Sequence, residues 1–259
     1  MDTPALVPTM GALHAGHARL IETSVRDNPT TAVSIFVNPS QFNNPADLAN
    51  YPRTLDADLA LCESLGADIV FTPSVEEMYP QPQQAFVEVG RVTQHLEGAF
   101  RPGHFCGVAT VVMKLFQIFE PTRAYFGEKD YQQLAVIRRM VADLNVNVEI
   151  VGVPTVRESD GLALSSRNRR LDPRARAAAP LLYQALQLAA SRIAQGIRDS
   201  AAIKREALAT LGHPLIRVEY FEVIDPFWIE PVASIEGPVR IAIAAWVGPV
   251  RLIDNIPAP

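Results

Sequence analysis

The chain has 259 residues, room for one large or two modest domains at roughly 150 residues each. Hydrophobic residues make up 48% and charged residues 20%, which excludes the apolar-poor, charge-rich composition of a disordered chain. With 23 Lys+Arg against 28 Asp+Glu the net charge is −5, so the basic excess suited to a nucleic-acid backbone is missing and no nucleic-acid partner is expected.

The opening residues, MDTPALVPTM, lack the basic stretch and apolar core of a secretory leader. Ala5 to Thr9 reads as a short strand, and after a glycine-containing turn Ala15 to Arg26 carries Leu20, Ile21 and Val25 at helical spacing. Ala32 to Val37 is a continuous β-branched run of the kind buried on both faces of a parallel sheet, and an Asn/Pro-rich loop, Asn38 to Pro52, follows it. Thr54 is placed to cap a helix whose Leu55, Leu59, Cys62 and Leu65 share a stripe, with Gly66 at its end and a strand at Asp68 to Thr72.

Ala85 to Val89 has strand character. The helix from about Phe105 to Phe119 is apolar around most of its circumference and reads as central. The run from Cys106 to Phe119 is broken by Lys114 and Gln117 and falls short of the roughly 20 residues of a membrane span, so a cytoplasmic chain with no membrane partner is expected. Tyr125 and Phe126 form a brief strand, Tyr131 to Leu144 a helix and Val148 to Val153 another strand. This alternation predicts an α/β fold: a Rossmann-like, doubly wound parallel sheet whose ligands sit beyond the carboxyl ends of its strands.

From about Val156 the pattern changes. A polar loop, RESDGLALSSRNRRLDP, leads to helices near Pro173 to Gln195 and Ser200 to Leu211, then to strands at Arg217 to Ile224, Val239 to Val247 and Val250 to Ile253. The expected division is a Rossmann-like domain over 1–155 and a second, smaller α+β lid domain over 156–259. Cys62 and Cys106 stand apart, with no CxxC and no Cys/His cluster, and read as two buried thiols. The 21 prolines are scattered at segment ends and punctuate short connections.

Three stretches at successive strand ends suit phosphate chemistry. In Pro8-Thr9-Met10-Gly11-Ala12-Leu13-His14-Ala15-Gly16-His17 the two histidines fall on one side of the first helical turn, and the glycines allow close approach. The helix N-terminus adds free N–H groups and positive dipole, and two imidazoles can donate to charge that grows in a pentacoordinate transition state. Alternatively one imidazole caps the helix and the other packs. Gly127-Glu128-Lys129-Asp130 offers a lysine for phosphate and an aspartate for ribose hydroxyls, or is simply a charged turn. Leu164-Ser165-Ser166-Arg167-Asn168-Arg169-Arg170 offers hydroxyls, guanidiniums and an amide for a polyphosphate, or is a solvated basic turn. There is neither a GxGxxG nor a GxxxxGK[ST] motif.

PTMGALHAGH, SIFVNPSQF, YPRTLDADL, LEGAFRPGHFCGVATVV, FGEKDYQQL and VPTVRESDGLALSSRNRRL, in this order over residues 5 to 171, resemble the blocks of the pantoate–β-alanine ligase family, and VRLIDNI near the end is similar to its C-terminal signature. The resemblance implies ATP-dependent joining of pantoate to β-alanine through a pantoyl adenylate, giving pantothenate, AMP and pyrophosphate. It places ATP on Met10, Gly11, His14, His17, Gly127, Lys129, Asp130, Val156, Leu164, Ser165, Ser166 and Arg167, with His17, His14 and Lys129 catalytic. Gln41 and Gln133 would bind pantoate, as neutral amides that can donate to a carboxylate without a fixed charge that would blunt its nucleophilicity. Asn38, Tyr51, Arg101 and His104 would support the pantoate and β-alanine site, Mg2+ would accompany ATP, and Asp58 would be its acidic contact.

The resemblance also implies a homodimer; the apolar stretch Val111 to Phe119 suits pairing, although a core helix accounts for it as well. Family members usually carry a helical segment before the first strand, which this chain reaches almost at once, and Ala57 stands where some relatives have another acid. The rival readings are a nucleotidylyltransferase built on the same HxGH site, a class I aminoacyl-tRNA synthetase and a non-enzymatic ATP sensor. The full set of Gln41, Gln133 and the Ser165–Arg167 stretch favours catalysis.

Overall fold

The computed structural model describes residues 3–259; Met1 and Asp2, part of the opening stretch read for a leader, lie outside the described residues. Two compact units are present: the residues up to Glu128 with Gln132–Pro154, and Lys129–Tyr131 with Thr155–Pro259.

The first unit is built on five parallel strands, β1 (Ala5–Thr9), β2 (Thr31–Ile35), β3 (Ile69–Phe71), β4 (Arg123–Gly127) and β5 (Glu149–Val153), in the order β3-β2-β1-β4-β5. Between them run α1 (Ala15–Asp27), α2 (Pro45–Ala49), α3 (Leu55–Ser64), α4 (Val75–Met78), α5 (Glu97–Phe100), α6 (His104–Phe119) and α7 (Tyr131–Asp143), the last beginning with a residue of the second unit. Ala5, Val7, Val33 and Val153 pack with Leu20 and Ile21 of α1 and Cys62 of α3 in one core cluster. Alternate strand residues face the other side. There Gly152 makes room for Leu134 of α7, and α6 packs on β1. Fully burying each such Leu or Ile is worth about 1.5–3 kcal/mol, and the sheet is covered from both faces.

The strand order reverses between β1 and β4, the point at which an open α/β sheet splits to make a crevice. Here the ladder is a single pair, Leu6↔Ala124, and Pro8 has no N–H with which to extend it. The turns that leave β1 and β4 at their carboxyl ends begin beside this gap.

Several elements differ from the sequence reading. Ala85–Val89 joins no sheet; Val87 N–H goes instead to Thr110 Oγ1 (2.9 Å) and Phe86 is 61% exposed. The buried face of α3 is Asp58 and Cys62 with Leu61 and Leu65 beside them, while Leu55 and Leu59 face outward. The stripe is rotated because a hydrogen-bonded carboxylate, invisible to an apolar periodicity, occupies one buried position. Val111–Phe119 is largely core, with Val111, Val112, Leu115 and Phe116 buried and Ile118 exposed. Cys62 is buried but Cys106 only half so.

In the second unit β6 (Ile216–Ile224), β7 (Val239–Val247) and β8 (Val250–Ala258) form an antiparallel sheet in that order. Helices α8 (Pro173–Ala178), α9 (Leu181–Ala194) and α10 (Ser200–Ala209) pack against it. Ile241, Ile243 and Val247 of β7 share a core with Leu182, Leu186 and Ile193 of α9 and Ile203 of α10. The helix expected over Pro173–Gln195 is two, broken where Pro180 supplies no N–H. β8 continues through Ala258, well past Ile253, because Asp254, Asn255 and Pro257 hide the strand pattern of a segment paired along its whole length with β7. Among the described residues no helix is long and apolar enough to cross a membrane.

Candidate active site

Between β1 and α1 the backbone turns through Gly11 (φ +75°) and Ala12 (φ +50°), a left-handed pair that is costly for a residue with a side chain. Asp58 of α3 holds this turn. Its carboxylate, 2% exposed, accepts Ala12 N–H (2.9 Å), Leu13 N–H (2.8 Å) and the Thr54 hydroxyl (3.1 Å). A Cβ at position 11 would lie 2.9 Å from Asp58 Oδ2, so only glycine lets the turn lie flat on the carboxylate. Beneath it Thr9 Oγ1 accepts Gly11 N–H (3.1 Å) and donates to Ser34 C=O (2.7 Å). Burial, with the Asp58 charge second, pushes the Cys62 thiol up from its ordinary range.

His14 is the N-cap of α1: its Nδ1 accepts Gly16 N–H (3.1 Å), and His17 Nδ1 reaches back to His14 N–H (3.3 Å). This is a capping box in which imidazoles replace the usual hydroxyl and carboxylate. The rings lie 4.2 Å apart, tilted by 45°. With both Nδ1 atoms accepting, the neutral rings carry their hydrogen on Nε2, which makes the Nε2 edges donors, at the positive end of a 13-residue helix. Capping, one of the possibilities read in the sequence, is what both Nδ1 atoms do here.

Gln41 sits in the short 3-10 turn Pro39–Gln41 after β2, 7% exposed. Its Nε2 is 3.0 Å from Met10 Sδ, and its Oε1 accepts from Asn38 Nδ2 (3.1 Å). Its carbonyl accepts from His104 Nδ1 (2.8 Å) and Arg101 Nη2 (3.4 Å), while Arg101 Nη1 reaches His104 Nε2 (3.2 Å) and Glu97 (3.5 Å). Asn38 is fixed by Gly107 C=O (3.2 Å), Ser40 Oγ (2.9 Å) and the Tyr79 hydroxyl (2.8 Å). Burial raises the Tyr79 phenol above its ordinary value. Tyr51 packs edge-on against Phe42. Gln132 is buried and donates to Val92 and His95 carbonyls while accepting Glu97 N–H, which fixes the loop before α5; its neighbour Gln133 is half-buried.

Gly127 closes β4 in the first unit, and the turn Glu128–Asp130 follows; Lys129 Nζ lies 3.9 Å from Asp130 Oδ2. In the second unit Val156 C=O accepts Leu164 N–H (3.0 Å), and Arg157 pairs with Ala163 to close a hairpin turned at Gly161 (φ +92°). Asn168 ties the hairpin to the 3-10 turn Ser166–Arg170 through Glu158 (3.1 Å) and Ala163 C=O (3.0 Å). Arg176 binds Glu158 and Asp160 at 2.7 Å, and this hydrogen bond holds the Asp160 carboxyl below its ordinary value. Ser165 Oγ accepts Arg167 N–H (3.2 Å), which leaves its hydroxyl proton to donate.

The first unit therefore brings Met10, Gln41, Asn38, Arg101 and His104 into one cluster and His14 onto His17. The second brings Lys129 beside Asp130, Val156 beside Leu164 and Ser165 beside Arg167. Sequence reasoning missed Tyr79, Gly107 and the structural role of Gln132. The Asp58 carboxylate is occupied by two backbone N–H groups and a hydroxyl, which fits a turn anchor and not a direct metal ligand. Among the described residues no group of three His, Cys, Asp or Glu side chains is arranged to hold a metal ion.

A family model described as pantoate-beta-alanine ligase matches residues 2–257. A pantothenate synthetase of Fervidobacterium nodosum is 50% identical over 254 residues, 98% of this chain and 91% of that protein. One from Thermosipho africanus is 52% identical over 250 residues, 96% and 90% of the two chains. The crystal structure of pantothenate synthetase from Thermus thermophilus superimposes with a TM-score of 0.95 at 48% identity, covering 98% of this chain and 93% of that one. A pantoate-beta-alanine ligase from Francisella tularensis, complexed with beta-gamma ATP and beta-alanine, gives 0.81 at 37% identity, covering 98% and 89%.

Proposed function

The chain belongs to the pantoate–β-alanine ligase family and is a pantothenate-forming ligase, and from that premise we propose how its residues divide the work. The pantoate carboxylate attacks the α-phosphorus of ATP; an O–P bond forms, the bond from that phosphorus to the bridging oxygen breaks, and pyrophosphate leaves. The amine of β-alanine then attacks the acyl carbon of the pantoyl adenylate, loses a proton and expels AMP. Neither step needs a protein nucleophile, so positioning and charge stabilisation carry the rate.

The observation that carries this reading is the paired imidazole cap. Two Nε2 donors and a helix N-terminus, on a turn fixed by Asp58, suit the equatorial oxygens of a phosphorus under attack. We assign His14, His17 and Lys129 to those oxygens, with Met10, Gly11 and Gly127 lining the nucleotide. Asp130 takes the ribose, the Val156 backbone the adenine, and Leu164, Ser165, Ser166 and Arg167 the departing pyrophosphate. Gln41 and Gln133 hold pantoate; Asn38 and His104 fix Gln41, and Arg101 and Tyr51 complete that wall.

Mg2+ bound with ATP would neutralise charge on the leaving pyrophosphate, and no side-chain cage is needed for it. Pairing of two copies is the assembly we propose, and sedimentation equilibrium at twice the 28.3 kDa of one chain is the expected result. The chemistry is tested by product analysis with ATP, pantoate and β-alanine: AMP and pyrophosphate should each equal the pantothenate formed. ADP and inorganic phosphate would instead mean activation through an acyl phosphate and would remove the adenylate from this scheme.

A further inference from the structure

We infer that Asn255, held by Arg240, is a positioning residue that sets the backbone of Lys129; the inference rests on the reading of Lys129 as a phosphate-facing cation. The C-terminal VRLIDNI stretch has no part in the chemistry above, yet it supplies a side chain that touches the Lys129 turn. Asn255 Nδ2 donates to Lys129 C=O at 2.8 Å, and Asn255 is 6% exposed.

The amide is oriented from its other side. Arg240 Nη1 donates to Asn255 Oδ1 at 2.6 Å, so the oxygen must face the guanidinium and the NH2 must face the carbonyl. The register makes this possible: Asn255 pairs with Ala242, two residues from Arg240 on the same face of β7, a diagonal cross-strand neighbour. That face is opposite to the one on which Ile241 and Ile243 meet the helices.

Arg240 also reaches the far side of the turn. Its guanidinium lies 3.6 Å from the centroid of the Tyr131 ring, and the Tyr131 hydroxyl donates to Pro226 C=O at 3.0 Å. Lys129 and Tyr131 are thus gripped on either side of Asp130, and these three residues cluster with the second unit although the chain on both sides of them belongs to the first. A guanidinium at 7% exposure is costly to bury and gains nothing for a sheet face that apolar residues would fill as well. Its use here is to fix an amide and a ring, and through them the direction in which the Lys129 side chain leaves the backbone.

Asn255→Asp tests this, because the carboxylate still accepts from Arg240 but has no proton for Lys129 C=O. In pantoate-dependent exchange of labelled pyrophosphate into ATP, it should raise the KM for ATP or lower the rate by about tenfold while the midpoint of thermal unfolding shifts little. The same change in a Lys129→Ala background should alter exchange less than about twofold, since a residue that acts through Lys129 has nothing left to position. Wild-type exchange in the single variant, or a full multiplicative effect in the double, would overturn the proposal. Lys129→Ala at the wild-type rate would instead sink the reading of Lys129. If Asn255→Asp does not fold, Arg240→Lys, which keeps the charge and loses the planar fork, runs the same cycle with the same expected non-additivity.

Discussion

Asp58 shows how much one side chain can settle. A carboxylate on α3 reaches 45 residues back in the chain to fix the N–H of Leu13, and with it the approach to the His14–His17 cap. Replacing it by asparagine keeps the size but turns an N–H donor toward one of two backbone donors. Leaving a buried donor unmatched costs about 1–3 kcal/mol, so Asp58→Asn should lose that much stability in chemical denaturation and slow the exchange reaction, with an unchanged Mg2+ requirement. A shifted Mg2+ dependence at unchanged stability would make Asp58 a metal ligand after all. The paired imidazoles were legible in the sequence because HxGH is local and its spacing is read directly. Asp58 stands out in the sequence, but its Ala12 and Leu13 partners do not, because they are backbone groups distant in sequence.

Among the elements, α6 and the Pro39–Gln41 turn depend on one missing side chain. A Cβ at Gly107 would lie 2.4 Å from Ser40 C=O and 2.8 Å from Gln41 N, too close for either backbone group to stay in place. Gly107→Ala should therefore push the turn that carries Gln41, raise the KM for pantoate severalfold and destabilise the fold by about 1–3 kcal/mol; an unchanged KM would separate Gln41 from pantoate. The parallel strands were readable because each is a buried apolar run with a turn signal at its end. Ala85–Val89 has the same local preference but no neighbour to pair with among the described residues, and β8 was cut short because its polar residues serve Arg157 and Arg240 rather than solvent. Propensity reports what a segment would accept, whereas pairing depends on what the fold brings to it.

For the whole molecule, the net charge of −5 says little about a reaction among phosphates, carboxylates and an amine; the donors we assign to it lie in a few turns at strand ends. The short Lys129–Tyr131 segment belongs to the second unit while the strand before it and most of the helix after it belong to the first. That division was only partly visible in the sequence, where the change of pattern near Val156 marks the main boundary and nothing local marks the other. Activation of pantoate by adenylation is tested most directly by exchange of labelled pyrophosphate into ATP with Mg2+ and pantoate present and β-alanine omitted. Exchange should require pantoate and fall at least about tenfold in His17→Ala. Exchange without pantoate, or none from a folded protein that binds ATP, would contradict it.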